Sequence, residues 1–172
     1  MKTLVGISFI ILIGLQAFTI SKESNNYSKP LLINCDTIPP LNKELLKFVK
    51  KNIKKKVGRG QCWDLAAAAL ELVNASWDGS YEFGRKVNHE TECVYPGDII
   101  QFEGVKVKYS LNGSRYEQNM DHHTAVIYKV NSKGNFELAH QNFGGGRKKV
   151  IITNLDLKNI TKGKFFIYRP TK

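Results

Sequence analysis

The chain has 172 residues and a formal net charge of +11, from 26 Lys and Arg against 15 Asp and Glu. Its hydrophobic content of 42% and aromatic content of 10% exclude a disordered or collagenous chain. The length favours one domain with a substantial core, and no stretch after residue 21 approaches the ~20 apolar residues of a membrane span, which excludes a multi-pass membrane protein.

The first 21 residues have the layout of a secretory signal peptide. Lys2 precedes an apolar run over residues 4–15. An uncleaved anchor is the alternative, because no charged residue stands between Lys2 and Lys22. In both cases we expect the rest of the chain to be exported, to a secreted, periplasmic or extracellular location. The predicted organisation is a signal peptide at 1–21, an extended lead-in at 22–40 and one domain at 41–172.

The basic charge of an exported chain suits anionic surroundings, such as a cell-wall polymer. The densest group of lysines lies over residues 47–56. It lacks the alternating aromatic residues that stack on bases, so we expect a solvated helix face and no specific nucleic-acid partner.

The cysteine count predicts one disulfide and one free thiol. An exported chain with three cysteines has one left over when two are paired. The preferred arrangement is a disulfide between Cys35 and Cys93, which leaves Cys62 free and available for chemistry.

Two helices are predicted before a series of strands. Apolar residues at helical spacing predict an amphipathic helix from Leu41 to about Lys55, and a second helix begins at Cys62 and runs to Val73. The later segments are short, β-branched or aromatic, and separated by glycine-containing turns. Two helices followed by about six antiparallel strands indicate an α+β fold with the helices on one face of the sheet. The predicted strands are 98–102, 105–109, 123–130, 136–142, 149–153 and 164–168.

Cys62 occupies a position that can activate a thiol, where coil becomes helix. The partial positive charge of a helix N-terminus favours thiolate over thiol, and the first main-chain N–H groups are free to stabilise an oxyanion. Gln61 offers a side-chain amide donor to the same oxyanion hole. A buried structural cysteine or one half of a disulfide is the alternative for Cys62 taken alone.

Candidate bases lie on two consecutive strands. His122 and His123 open one strand, and the next carries His140 and Asn142 on one face, because strand side chains alternate with a period of two. A short turn joins these strands, so we expect them to be antiparallel neighbours. His123 would then lie beside His140 or Asn142, as a base and the group that orients it.

The other chemistry-bearing residues have less specific readings. The same histidines with Cys62 lack metal-ligand spacing, so neither a metal nor another cofactor is expected. Trp63 is expected in the core behind the nucleophile, and Asp98 is expected to hold a turn. The candidates for lining a substrate cleft are Trp77, Tyr81, Phe83 and the loop from Ser110 to Asp121.

Four segments together resemble a CHAP or NlpC/P60 cysteine hydrolase. They are Gly60-Gln-Cys-Trp63 opening a helix, Tyr95-Pro-Gly-Asp-Ile-Ile-Gln-Phe102, His123-Thr-Ala-Val-Ile127 and His140-Gln-Asn142. The resemblance covers about residues 58–170. It implies a papain-like fold of N-terminal helices on an antiparallel sheet, with Cys62 as nucleophile and His123 as general base.

The chain departs from the CHAP pattern at the third catalytic position. CHAP enzymes have Glu-x-Asn where this chain has His140-Gln-Asn142, whereas NlpC/P60 enzymes often use a second histidine. His140 and Asn142 therefore both remain candidates for orienting the base.

The resemblance implies an exported cysteine peptidase or amidase that hydrolyses amide bonds, with peptidoglycan peptides as the expected substrate. Another peptide substrate and an anionic wall polymer are the other expected partners. The departure at the glutamate position leaves an alternative open, namely a catalytically inactive module of the same fold that binds a wall polymer or a protein.

Overall fold

The computed structural model describes residues 35–144 and 148–172. The predicted signal peptide at 1–21 and residues 22–34 of the lead-in lie outside the described residues, as do Gly145 and Gly146 of a predicted turn. Among the described helices, none has the length and apolar character needed to cross a bilayer.

Two helices precede the sheet, as predicted. α1 spans Pro40–Asn52 and begins with a proline in its first turn, where the fixed φ favours helix and the missing N–H is not needed. α2 spans Cys62–Leu72 and is buried along most of its length, since its four alanines allow close approach to the neighbouring elements. α1 ends before the expected Lys55 because Lys54 adopts a left-handed φ of 66° and its N–H donates to the carbonyl oxygen of Val150.

Six antiparallel strands form one sheet in the order β1-β6-β2-β3-β4-β5. Each strand from β2 to β5 therefore lies beside its sequence neighbour, and β6 returns to the far side of β2. This confirms the predicted α+β fold with an antiparallel sheet. The strands are β1 Arg85–Val87, β2 Ile99–Leu111, β3 Ser114–Ser132, β4 Asn135–His140, β5 Ile151–Asp156 and β6 Ile160–Arg169, with a short 3₁₀ turn at Leu157–Asn159 between the last two.

The strand predictions differ from the structure along the β2–β3 hairpin. The segments expected as two strands at 98–102 and 105–109 form the single strand β2, because Gly104, with φ 58°, accommodates an irregularity in its pairing with β6 and does not form a turn. The expected loop from Ser110 to Asp121 is also mostly strand, with Ser110 paired to Arg115 around a turn at Asn112 and Gly113. β1, with only three residues, was not predicted.

Both faces of the sheet are buried, and the two faces carry different clusters. α1 and α2 pack on one face, which we call the helix face, where Val126 and Ala139 belong to the same buried apolar cluster as Leu65 of α2. The opposite face, which we call the second face, buries another apolar cluster that includes Phe102 and Ile127. A side chain in β3 or β4 therefore meets α2 or the second cluster according to its place in the strand alternation.

Two cross-links hold the edges of the domain. The disulfide joins Cys35 to Cys93 and leaves Cys62 as a free thiol, which confirms the predicted arrangement. Asp98 is fully buried, accepts from the main-chain N–H of Tyr95 at 2.9 Å and forms a bidentate ion pair with Arg169. Its carboxylate also accepts from Asn42 Nδ2 at 2.8 Å. Asp98 thus holds the predicted turn and also ties α1 to β6.

Candidate active site

Cys62 is the first residue of α2, and it lines a cleft. Its side chain is partly exposed, and the cleft has a volume of about 430 Å³. The main-chain N–H at this helix position has no intrahelical partner, because the first turn of any helix lacks preceding carbonyls. The other cleft residues include Arg59, Gln61, Trp63, Ser80, Tyr81 and His122.

The turn that leads into Cys62 requires glycine. Gly60 has a φ of +83°, and a Cβ placed there would lie 2.7 Å from the Cβ of Lys148. Only glycine combines this conformation with the close approach of another side chain. The chain is thereby able to turn sharply and present the thiol at the start of the helix.

Gln141, the residue that follows β4, holds the same turn in place. Its fully buried amide accepts from the N–H of Val57 at 2.7 Å and donates to the carbonyl oxygens of Val57 at 3.2 Å and Gln61 at 3.1 Å. A buried amide with all these partners is costly to displace. No role was predicted for Gln141, yet this side chain holds the residues before Cys62 against the end of β4.

Gln61 is held at both its main chain and its side chain. Its N–H donates to Oδ2 of Asp64 at 3.0 Å, an N-terminal capping contact. Its side-chain Oε1 accepts from Nδ2 of Asn142 at 2.9 Å. The engaged oxygen leaves the Nε2 hydrogens of Gln61 to serve as donors in the cleft. Asn142, expected as a possible partner of a histidine, is exposed and contacts Gln61 instead.

His122 shares the cleft with Cys62. It follows from the strand alternation that His122, Thr124 and Val126 lie on the helix face, because the pairing of β3 with β2 is regular from 122 to 126. The Tyr81 ring meets the His122 ring edge-on, with 4.1 Å between centroids. His122 is exposed to solvent.

Gln101 contacts His122 from the neighbouring strand. Its side-chain nitrogen lies 3.4 Å from His122 Nε2, and its oxygen accepts from Oγ1 of Thr124 at 2.6 Å. Gln101 and Thr124 are both fully buried. Their mutual hydrogen bond fixes the Gln101 amide beneath the imidazole. No feature of the sequence alone distinguished Gln101 from a core residue of a buried strand.

His123 and His140 form a pair on the second face. His123 Nε2 lies 2.9 Å from His140 Nδ1, which confirms that the two rings are neighbours on one face. His140 Nε2 lies 3.0 Å from Oγ1 of Thr153, and the Phe143 ring packs against both imidazoles. Burial lowers the pKa of His123 to about 4. Burial and the nearby His123 lower the pKa of His140 to about 3. Both rings are therefore neutral at pH 7.

The structure thus divides the predicted site residues between the two faces. Gln61, Cys62 and the neighbouring His122 lie at the cleft, whereas His123 and His140 lie behind the sheet. The sequence missed this because β3 is buried on both faces, so its apolar pattern does not show which of two adjacent histidines faces α2. The catalytic roles expected for His123 and His140 stay predictions that their side-chain contacts do not favour. In the described residues no group of three or more His, Cys, Asp and Glu side chains is placed to hold a metal ion.

The aromatic residues expected near the cleft have separate positions. Trp63 lines the cleft, donates from Nε1 to the carbonyl oxygen of Ser80 at 2.6 Å and packs on Trp77 at 5.4 Å. Tyr81 also lines it, whereas Phe83 is fully buried in the helix-face core. Trp63 and Tyr81 are therefore the two of these aromatic residues that line the cleft with Cys62.

A cysteine at the N-terminus of a helix packed on an antiparallel sheet defines a cysteine proteinase fold, the class that the CHAP and NlpC/P60 resemblance implies. The chain belongs to the family described as the AIM3/BBC1 cysteine proteinase-fold domain, whose profile matches residues 41–172.

One curated relative is Altered inheritance of mitochondria protein 3 of Debaryomyces hansenii, which is 29% identical over 134 residues. The match covers 67% of this chain and 14% of that protein, so the chain spans only a small part of the relative.

Two solved structures are similar, both of Ly7917. The first is 15% identical with a TM-score of 0.46 and covers 74% of this chain and 62% of the other. The second, described as Ly7917 with the hydrolyzing product of MDP, is 16% identical with a TM-score of 0.49 and covers 75% and 62%.

Proposed function

We propose that this domain is a cysteine hydrolase that cleaves an amide bond, with Cys62 as nucleophile and His122 as general base. The observation that carries the proposal is that the free thiol and a solvent-exposed imidazole line one cleft. A nucleophile at a helix N-terminus with a nearby base is the arrangement that nucleophilic catalysis requires.

The chemistry follows from these positions. His122 takes the thiol proton, and the Cys62 sulfur attacks the carbonyl carbon of the substrate to form a C–S bond. The carbonyl electrons move to oxygen, where the N–H of Cys62 and the Nε2 hydrogens of Gln61 stabilise the charge. Collapse breaks the C–N bond while His122 returns its proton to the leaving amine. Water, activated by His122, then attacks the acyl group and releases the thiol.

Gln101 is the group that orients the base in this proposal. Its side-chain nitrogen lies 3.4 Å from His122 Nε2 and donates to the carbonyl oxygen of Phe102 at 3.3 Å, while its oxygen accepts from Thr124 Oγ1 at 2.6 Å. The buried amide therefore holds the imidazole at Nε2 and sets the direction of the ring.

His122 suits the role of base better than His123 for an electrostatic reason. The base must carry a positive charge after it accepts the thiol proton. Burial holds the pKa of His123 at about 4, which makes that charge costly at neutral pH. His122 is exposed to solvent, so a charge there is not desolvated by burial.

The narrower form of the proposal is an exported peptidase or amidase that acts on peptidoglycan peptides. The signal-like segment at 1–21 and the net charge of +11 support it, since a basic exported protein accumulates on an anionic wall. Release of soluble peptides from purified peptidoglycan by the wild-type chain, and none by Cys62→Ala, is the test of this substrate.

The catalytic proposal is tested by the pH dependence of Cys62 alkylation with iodoacetamide. Wild type and His123→Gln are expected to react below pH 7, and His122→Gln is expected to react as an ordinary thiol with a pKa near ~8.5. Circular dichroism establishes that both variants are folded. Loss of low-pH reactivity in His123→Gln alone would assign the base to His123. Ordinary thiol behaviour in folded wild type would favour the inactive binding module.

A further inference from the structure

Two runs of lysines that are far apart in sequence lie side by side in the fold. The segment after α1 pairs with the start of β5, since the N–H of Lys54 donates to Val150 and the N–H of Val150 donates to the carbonyl oxygen of Lys55, both at 2.8 Å. This places the lysines at 54–56 against the lysines at 148 and 149. All five lysines are exposed: Lys54, Lys55, Lys56, Lys148 and Lys149.

These lysines are continuous with the cleft of Cys62. The Cα of Gly60 lies close to both runs, because a Cβ there would meet Lys148 at 2.7 Å and Cγ of Lys56 at 3.1 Å. Arg59, next in the chain, lines the cleft itself and is largely exposed. Its one ion pair in the described residues is a long contact of 3.9 Å to Asp64, and the five lysines form none there. We call these six residues the basic track.

From this juxtaposition we propose that the basic track binds an acidic segment of a polypeptide substrate and directs it to Cys62. This inference rests on the proposed function and specifies its substrate class. Unpaired cations that lead into a catalytic cleft raise the local concentration of an anionic substrate and speed its association. The carboxylates of the substrate would form ion pairs with the lysines, while the scissile amide next to them reaches the thiol.

A polypeptide fits this track better than a nucleic acid. The six residues of the track include no aromatic side chain, whereas a strand of nucleic acid is held by aromatic rings between the cations. The thiol at the end of the track also attacks carbonyl carbon, and a polypeptide supplies that group. An acidic peptide therefore satisfies both the charges and the nucleophile.

The test uses two peptide probes that carry the same iodoacetyl group and the same neutral spacer. One probe ends in a run of glutamates and the other in a run of lysines. The rate of Cys62 labelling is measured by mass spectrometry on the full chain. We expect the acidic probe to label wild type about tenfold faster than the basic probe at low ionic strength, and the difference to vanish near 0.5 M salt, about where the Debye length becomes shorter than the track.

A matched pair of variants locates the effect. Lys56→Gln/Lys148→Gln removes two charges beside Gly60 and keeps the Cβ and Cγ atoms that pack there. Lys129→Gln/Lys133→Gln removes two charges from exposed, ion-paired lysines at the far end of β3. We expect the first double variant to lose most of the preference for the acidic probe and the second to keep it.

The outcomes separate this inference from the proposed function. Equal labelling by both probes in wild type, or an equal effect of the two double variants, overturns the basic track while Cys62 remains reactive. If neither probe labels Cys62 in the folded wild-type chain, the proposed hydrolase function is refuted. An oligonucleotide and polyglutamate are compared as competitors of Cys62 labelling by the acidic probe. If the oligonucleotide blocks labelling at a lower concentration of negative charges than polyglutamate does, the track binds nucleic acid and the inference is wrong.

Discussion

His122 and His123 are adjacent in the chain, yet their imidazoles lie on opposite faces of the sheet. His122 meets Tyr81 and the cleft of Cys62, and His123 meets His140 and Phe143. The first ring is exposed to solvent and the second is buried. β3 thus supplies two histidines of different kinds. His122 is suited to proton transfer, and His123 is suited to a hydrogen bond between neutral rings.

The buried histidine pair makes the fold sensitive to acid. His123 has a pKa of about 4 in the folded chain and near 6.5 when unfolded, so between these pH values the unfolded chain binds more protons. The free energy of unfolding therefore decreases as the pH falls from 6.5 to 4, by about 3 kcal/mol for His123. Urea unfolding at several pH values measures this decrease.

Replacement of the pair gives the control for acid sensitivity. His123→Phe/His140→Leu removes both groups that titrate, so its stability should depend less on pH over this interval. His122→Gln should retain the dependence, because His122 is exposed. A wild-type free energy of unfolding that is constant from pH 7 to 4 would contradict the prediction.

Gln101→Leu should remove the contact that orients His122 and leave His122 itself in place. The variant leaves His122 in the cleft but takes away the amide that orients its ring, and we expect alkylation of Cys62 at pH 6 to slow by about tenfold or more. The Thr124 hydroxyl loses its partner, so we combine the change with Thr124→Val. Unchanged alkylation at pH 6 in the folded double variant would show that Gln101 does not orient the base.

Gln61→Ala should weaken oxyanion binding while the thiol stays reactive. A short peptide aldehyde adds to a thiolate and forms a negatively charged oxygen, so its dissociation constant reports on the oxyanion hole. We expect an increase of about ten- to a hundredfold in Gln61→Ala, and a smaller one in Asn142→Ala, which releases the Gln61 side chain but keeps it. Alkylation by iodoacetamide serves as the control, since it requires no oxyanion. Equal aldehyde affinity in wild type and Gln61→Ala would exclude the donor role.

Gly60→Ala should destabilise the turn before the nucleophile by more than Gly79→Ala does. Both glycines have positive φ, but a Cβ at Gly60 would lie 2.7 Å from Lys148, whereas a Cβ at Gly79 would have nothing within 4 Å. The conformational cost is of order 1 kcal/mol at either position, and the steric cost falls on Gly60 alone. Thermal unfolding of the two variants measures the difference. Equal losses of stability would mean that Lys148 moves aside freely.

The sequence was sufficient for the two helices and for the position of Cys62 at the start of the second. Helical spacing located α1, and the change from coil to an alanine-rich segment located α2 with Cys62 at its start. The cysteine count predicted one disulfide and one free thiol, and the preferred pairing of Cys35 with Cys93 is the one observed. Asn112-Gly113 was an available hairpin signal within the expected loop, because both residues adopt the positive φ that such a turn needs. It was not used, and the β2–β3 hairpin was therefore predicted too short.

The composition of the cleft was beyond the reach of the sequence for physical reasons. Periodicity identifies a face only when the two faces differ in polarity, and both faces of β3 are buried. The clamp by Gln141 and the contact of Gln101 with His122 depend on cross-strand register, which local sequence does not encode. The sequence also does not show that the two lysine runs form one surface, since they are brought together only by hydrogen bonds between segments far apart in the chain.

The buried carboxylate of Asp98 connects the two ends of the domain. Asn42 at the start of α1 and Arg169 at the end of β6 hold the same group. If this domain is part of a longer chain, a pulling force applied through its flanking segments would pass from Cys35 through the disulfide to Cys93 and load the pair of Asp98 and Arg169 early. The resistance of the domain to mechanical stretching would then depend on one desolvated ion pair, and Arg169→Met should lower the unfolding force measured in an optical trap.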